Sequence, residues 1–215
     1  MGTARDDRRH WEDMYAEQAT DEVSWYQAAP TVSLELIASA GAGPSTSVID
    51  VGGGASVLAD ALVGRGFTDV TVLDVAPGAL AAARTRLGSR AGVVDWVEAD
   101  LLRWAPGRRY DLWHDRAVFH FLTDRTDRDR YRDTLRAALA PGGAVIVGTF
   151  AADGPDHCSG LPTSRYDATG LAAEFPGLSL ATSRREEHRT PWGAVQPFTW
   201  VLLRSSGSGS VGVGC

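Results

Sequence analysis

Neither lysine nor asparagine occurs in the 215 residues, so all 21 basic side chains are arginine. The lack of lysine excludes a phosphate loop of the G-x-x-x-x-G-K-[ST] kind and any Schiff-base chemistry on a lysine amine. The lack of asparagine excludes N-glycosylation. Such a bias is what a GC-rich coding sequence produces and says nothing about function. Cysteine is also scarce. Cys158 and Cys215 cannot build a disulfide framework or a four-cysteine zinc site. No apolar run approaches the ~20 residues of a membrane span. The first ten residues are polar and charged, unlike a signal peptide, and residue 6 is Asp where a myristoylation motif wants Ser or Thr. A soluble cytoplasmic protein is expected. Twenty-one basic against 27 acidic residues give a net charge of −6. That balance argues against a nucleic-acid partner, which wants a positive face, and nothing points to a membrane partner. With 44% hydrophobic and 22% charged residues, the composition is that of an ordinary globular chain.

The first 43 residues read as a helical cap, with helices over 10–18 and 31–40. Leu34, Ile37 and Ala38 fall at helical spacing, and Pro30 is a plausible helix start. Short apolar strands then alternate with helices. Strands are predicted over 47–51, 70–74, 93–97, 110–114 and 144–149. Helices are predicted over 56–65, 77–87 and 127–139, with Pro77 suited to a first turn. Strands alternating with helices imply right-handed crossovers and a doubly wound, mostly parallel α/β sheet covered on both faces. A Gly/Pro loop over 153–164 and a short helix over 167–175 follow. Two extended segments, 178–188 and 194–204, sit close enough to pair as a terminal antiparallel hairpin. Residues 1–204 form one domain in this reading, and the Ser/Gly/Val stretch 205–215 is a flexible tail.

The run Val48-Ile49-Asp50-Val51-Gly52-Gly53-Gly54-Ala55-Ser56 leads from a buried strand into a helix. Glycines there let the backbone turn tightly and approach a ligand. In a doubly wound sheet this first turn borders the ligand crevice. The dinucleotide fingerprint G-x-G-x-x-G would need Gly at position 57, where Val57 stands. A carboxylate at the end of a buried strand, Asp50, is costly unless it meets a donor or a cation. It would repel a pyrophosphate and attract a ligand carrying an ammonium and a sulfonium. A cationic adenosine ligand is therefore favoured over NAD or FAD.

Acids end the next strands too. Asp74 lies 20 residues after Gly54, where an acid accepts from ribose hydroxyls. Asp100 can accept from an exocyclic amino group, and Leu101 can pack on a purine face. Asp115 ends the fourth strand, next to Arg116. Each acid alone is most simply a cap or a solvated loop residue. Four at the carboxyl ends of four successive strands form a constellation.

On these residues the chain resembles the class I S-adenosylmethionine (SAM)-dependent methyltransferases. The resemblance covers roughly 48–204 and is carried by Asp50-Val51-Gly52-Gly53-Gly54, Asp74-Val75, Asp100-Leu101, 111–116 and Leu139-Ala140-Pro141-Gly142-Gly143. Ser56 stands where the family often has a further glycine. The resemblance implies a seven-stranded sheet with a terminal antiparallel hairpin, SAM as cofactor, and methyl transfer to a small-molecule acceptor. It implies that Gly52 and Gly54 face the methionine part, that Asp74 holds the ribose, that Val75 packs on the adenine, and that Asp100 with Leu101 frames its edge. His10-Trp11-Glu12-Asp13-Met14-Tyr15 and Glu22-Val23-Ser24-Trp25-Tyr26-Gln27 resemble the aromatic lids of thiopurine and protein-lysine methyltransferases. Trp11 and Tyr15 share one helix face, and with Trp25 they would attract a sulfonium methyl. Core packing is the competing explanation for all three.

Arg116 could meet the SAM carboxylate or an anionic substrate, and Arg165 adds a hint of the latter. A base is needed only if the acceptor is protonated. His120, after the fourth strand, is the candidate, with His114, His157 and His188 behind it; a partly buried structural role is the alternative. No metal site is expected, since His157, Cys158 and His188 lack regular ligand spacing. The Asp/Arg run 124–136 reads as a solvated helix face. Protein-lysine methylation, an NAD(P)-dependent oxidoreductase and a non-catalytic nucleotide-binding module are the alternatives. Oligomeric state is not legible.

Overall fold

Strand β1 (Val48–Val51) is buried along its whole length, because strands flank both its edges and helices cover both its faces. Around it run β2 (Val70–Asp74), β3 (Val94–Glu98), β4 (Tyr110–Arg116) and β5 (Leu139–Phe150). A two-residue pair, β6 (His157–Cys158) and β7 (Leu161–Pro162), stands apart, and β8 (Leu178–Arg189) and β9 (Val195–Ser205) close the sheet. This computed structural model describes residues 4–17 and 20–205. Cys215 and the tail expected over 205–215 lie outside the described residues, apart from Ser205, which ends β9.

The order across the sheet is β3-β2-β1-β4-β5-β9-β8. The first five strands are parallel, and β9 runs antiparallel to both β5 and β8. Chain order reverses between β1 and β4, so a crevice opens at their carboxyl ends. The expected seven-stranded, mostly parallel sheet with its antiparallel hairpin is present.

Six α-helices accompany the strands among the described residues: α1 (Ala4–Glu17), α2 (Thr31–Ser39), α3 (Leu58–Gly64), α4 (Pro77–Leu87), α5 (Arg125–Ala138) and α6 (Ala168–Ala173). Pro77 opens α4, where its missing N–H costs nothing. Asp124 caps α5 by accepting from Thr126 N at 2.7 Å, and Asp167 caps α6 by accepting from Gly170 N at 2.7 Å. Alternate strand residues feed two cores. Val48 joins Leu34, Ile37, Leu58 and Leu62 on one face. Ile49 and Val51 join Trp113, Tyr131 and Leu135 on the other.

Several boundaries differ from expectation, and α1 starts at Ala4 rather than at residue 10. Strand β5 begins at Leu139 because Tyr110 pairs with it before the register shifts. The loop over 153–164 contains the β6–β7 hairpin. Ser159 and Gly160 both have positive φ, 51° and 76°, as a two-residue turn between right-twisted strands requires. Among the described residues, no helix is long and apolar enough to cross a membrane.

Candidate active site

A cleft of about 310 Å³ opens at the carboxyl ends of β1, β2, β3 and β4. Its wall includes Gly52 after β1, Asp74 and Val75 at the end of β2, Asp100 and Leu101 after β3, and Arg116 at the end of β4. Trp11 and Tyr15 from α1, Trp25, and Phe121 close it above. Nine of the residues singled out from sequence therefore share one wall: Trp11, Tyr15, Trp25, Gly52, Asp74, Val75, Asp100, Leu101 and Arg116.

The glycine turn is tightly seated. Gly52 N donates to Leu73 O at 2.7 Å. Gly52 has φ +64°, and a Cβ there would fall 2.0 Å from Val118 Cγ2. Gly54 is not itself in the wall but lies directly behind it. A Cβ at Gly54 would fall 2.8 Å from the Tyr15 hydroxyl and 3.0 Å from Asp74 Oδ2. Helix α1 thus seats an aromatic side chain against the turn and the end of β2. Trp11 and Tyr15 rest on Ala55, Ala76 and Ala79, whose small side chains leave them room. Trp25 meets Trp11 and Tyr15 edge-to-face at 5.8 and 6.1 Å, and Trp11 meets Phe121 at 5.1 Å. Such quadrupole-matched contacts fix ring orientation.

Asp74 is buried, and Ala76 N donates to its Oδ1 at 2.8 Å. Burial raises its pKa to about 6, with the Asp50 carboxylate adding and backbone N–H groups of Ala76, Val75 and Gly54 opposing. Burial and the Asp74 charge push the Tyr15 phenol up, so it stays protonated. Asp100 caps its own turn through Leu102 N at 3.0 Å.

The other two strand-end acids lie beneath the cleft rather than in its wall. Asp50 is 3% exposed, and its Oδ1 is 2.7 Å from His114 Nδ1. Strand register explains this, because Asp50 sits directly opposite His114 on β4. His114 Nε2 in turn lies 2.9 Å from Ser33 Oγ of α2. The cation expected next to Asp50 is thus replaced by an imidazole of the neighbouring strand. Asp115 is wholly buried and holds the following loop, accepting from Val118 N at 2.9 Å, Phe119 N at 3.1 Å and Tyr131 Oη at 2.7 Å. Burial still raises its pKa to about 6. The loop it holds carries Ala117 at φ +69°, a strained conformation for a residue with a Cβ.

His120 does not stand where a substrate would approach. It is fully buried against Phe121, Phe150 and Phe198. Burial and the Arg116 charge lower its pKa to about 3, so it is neutral. The remaining histidine candidates are engaged elsewhere. His188 Nε2 is 2.7 Å from Ser24 O, and His157 is exposed beside Asp156. Arg165 donates to Gly154 O and is not in the cleft wall. Among the described residues, no group of three or more His, Cys, Asp or Glu could hold a metal ion.

Sequence reasoning missed Phe121, Leu122, Thr123 and Asp127 in the wall, and gave Cys158, Leu161 and Pro162 no role beyond membership of the Gly/Pro loop over 153–164. Asp127 was read as solvated, yet it is 6% exposed in the first turn of α5. The available signal was Tyr131, one turn on and on the same face.

Comparison with known proteins now bears on this geometry. Residues 49–145 match the family model described as the methyltransferase domain. A SAM-dependent methyltransferase from Anabaena variabilis superposes with a TM-score of 0.73 at 16% identity, over 96% of each chain. The chain has a class I methyltransferase fold. An N-methyltransferase from Bradyrhizobium japonicum, solved with S-adenosyl-L-homocysteine (SAH), shares this methyltransferase fold with a TM-score of 0.68 at 19% identity, over 90% of this chain and 97% of that one. In sequence, 100 residues are 37% identical to trans-aconitate 2-methyltransferase from Rhizobium leguminosarum, covering 46% of this chain and 36% of that protein. The chain thus matches about a third of the length of that curated relative. The family match runs from β1 into β5 and so includes β1, β2, β3 and β4, the strands at whose ends the cleft opens.

Proposed function

We propose that the chain binds SAM in this cleft and transfers its methyl group to a small-molecule acceptor. Asp74 carries the reading. It is a buried carboxylate whose Oδ2 lies beside the glycine turn, and a ribose diol would supply the donors it accepts. The other wall residues fit the same ligand. Val75 and Leu101 offer apolar surface to a purine, with Asp100 at its edge as acceptor. Gly52 and Gly54 allow close approach of the methionine part. Bound SAM would supply a methyl carbon made electrophilic by its sulfonium.

The chain's own contribution is position and exclusion of water. Trp11, Tyr15, Trp25 and Phe121 cover the cleft and attract positive sulfur. Asp115 fixes the loop that carries Val118 and Phe121. Asp50, tied to His114, supports the floor under Gly53, where a Cβ would fall 2.5 Å from its Oδ2. His120, neutral and enclosed, takes no proton from the acceptor. In this reading residues 1–204 act as one domain in the cytoplasm, on a small molecule and without a nucleic-acid or membrane partner. The name of the curated relative, trans-aconitate 2-methyltransferase, supports a small-molecule acceptor.

Calorimetric titration of the full chain with SAM and SAH tests the binding. Transfer of labelled methyl to a panel of thiols, amines and acids tests the reaction. Absence of binding at millimolar SAM refutes the reading.

A further inference from the structure

Arg116 is the one cation in the cleft wall among the described residues. Its Nη1 donates to Trp25 O at 2.8 Å, and its Cζ lies 4.9 Å from the centre of the Phe198 ring. These contacts hold the guanidinium in place. Its Nε and Nη2 are buried and have no hydrogen-bond partner among the described residues. The neighbouring carboxylates are committed elsewhere. Glu186 accepts from Gln27 Nε2 and Trp200 Nε1, both at 2.8 Å, and Asp50 is paired with His114.

The two free atoms define a chemistry. Nε–H and the adjacent Nη2–H point the same way, spaced to meet both oxygens of one carboxylate. Buried donors without partners are rare in folded proteins and call for a ligand or an ordered water. A dianion such as phosphate would want a second cation, and the described wall has none. Trp25, Phe121, Leu161 and Pro162 line the same cleft and offer apolar surface. Position separates this edge from the adenosyl subsite. Asp74 and Asp100 follow β2 and β3, whereas Arg116 ends β4, on the other side of the switch point.

We propose that the free edge of Arg116 receives a carboxylate of the methyl acceptor, making the preferred substrate a small organic acid with an apolar body. This rests on the methyltransferase reading above. It also gives Arg116 a specificity-determining role distinct from cofactor binding.

The test uses the full chain saturated with SAH. Acetate, hexanoate, cinnamate, indole-3-acetate and trans-aconitate are titrated calorimetrically, each beside its primary amide. At least one acid should bind at least tenfold more tightly than its amide. Arg116→Gln should weaken that acid roughly 10- to 100-fold, the range for charge-assisted hydrogen bonds, while SAH affinity changes less than threefold. Arg116→Lys, which keeps the charge but loses the fork, should fall between. If SAH itself fails to bind the wild type, the methyltransferase reading falls first. If SAH binds but no acid outperforms its amide, the proposal is wrong even without a variant. If Arg116→Gln weakens SAH as much as the acid, the edge holds the cofactor's own carboxylate and the proposal is again overturned.

Discussion

Replacing Asp74 with Asn should make the unliganded protein more stable and a poorer binder. Burial raises the Asp74 pKa from an ordinary 3.8 to about 6. At roughly 1.4 kcal/mol per pKa unit, ionising this group in the folded chain costs about 3 kcal/mol. The residue is only 7% exposed, so solvent screening takes little from that figure. The sign follows from proton linkage. Below 3.8 the group is protonated in both the folded and unfolded chain, and the cost is absent. Between 3.8 and about 6 the folded chain holds the proton more tightly, so stability falls as pH rises. Above 6 the full cost is present. Asp74→Asn keeps the Oδ1 acceptor for Ala76 N but turns a donor toward a backbone N–H, forfeiting about 1 kcal/mol. The net expected gain at pH 8 is about 2 kcal/mol, read as a raised urea midpoint with unchanged slope. At pH 3.5 the gain should vanish. SAH affinity should drop by roughly 10- to 100-fold, because the ribose loses a charged acceptor. A variant less stable than wild type at pH 8, or a gap that does not shrink on acidification, would refute the reasoning.

Other perturbations have equally definite outcomes. SAH affinity of the wild type should decline as pH falls through about 6, where Asp74 gains a proton; a flat profile from pH 8 to 5 would contradict this. Gly52→Ala should cost about 2–5 kcal/mol, combining a left-handed backbone with overpacking on Val118, and Val118→Ala should recover part of it in denaturant titrations. His120→Phe should flatten the acid limb of stability. The wild type must keep His120 neutral down to about 3 while the unfolded chain protonates it near 6.5, so stability drains away between those values. Trp25→Leu should weaken SAM more than SAH by about 0.5–2 kcal/mol, since only SAM carries the sulfonium charge; equal losses would show that the ring only packs.

Most of the sheet was legible because parallel strands buried on both faces read as short apolar runs, as in Val70–Asp74. The terminal hairpin was legible from spacing alone. Asp74, Asp100 and Leu101 were legible as wall residues because strand ends are fixed by the same pattern. Asp50 and Asp115 stand at equally visible strand ends, yet they point beneath the cleft. Their direction depends on β1–β4 register and on Tyr131 reaching across from α5, and neither is local. His120 was misjudged for the same reason, since Phe150 and Phe198 from distant strands enclose it together with the neighbouring Phe121. The β6–β7 hairpin was written only in Ser159-Gly160, a two-residue signal inside a loop of small residues.

The alanine floor under the N-terminal helix has a mechanical consequence. Trp11 and Tyr15 rest on methyl groups at Ala55, Ala76 and Ala79 and meet the body otherwise through the rings of Trp25 and Phe121, so lifting this helix breaks far fewer contacts than opening the sheet. A bulkier side chain at Ala79 would have no room beneath those rings and should prise the helix from its seat.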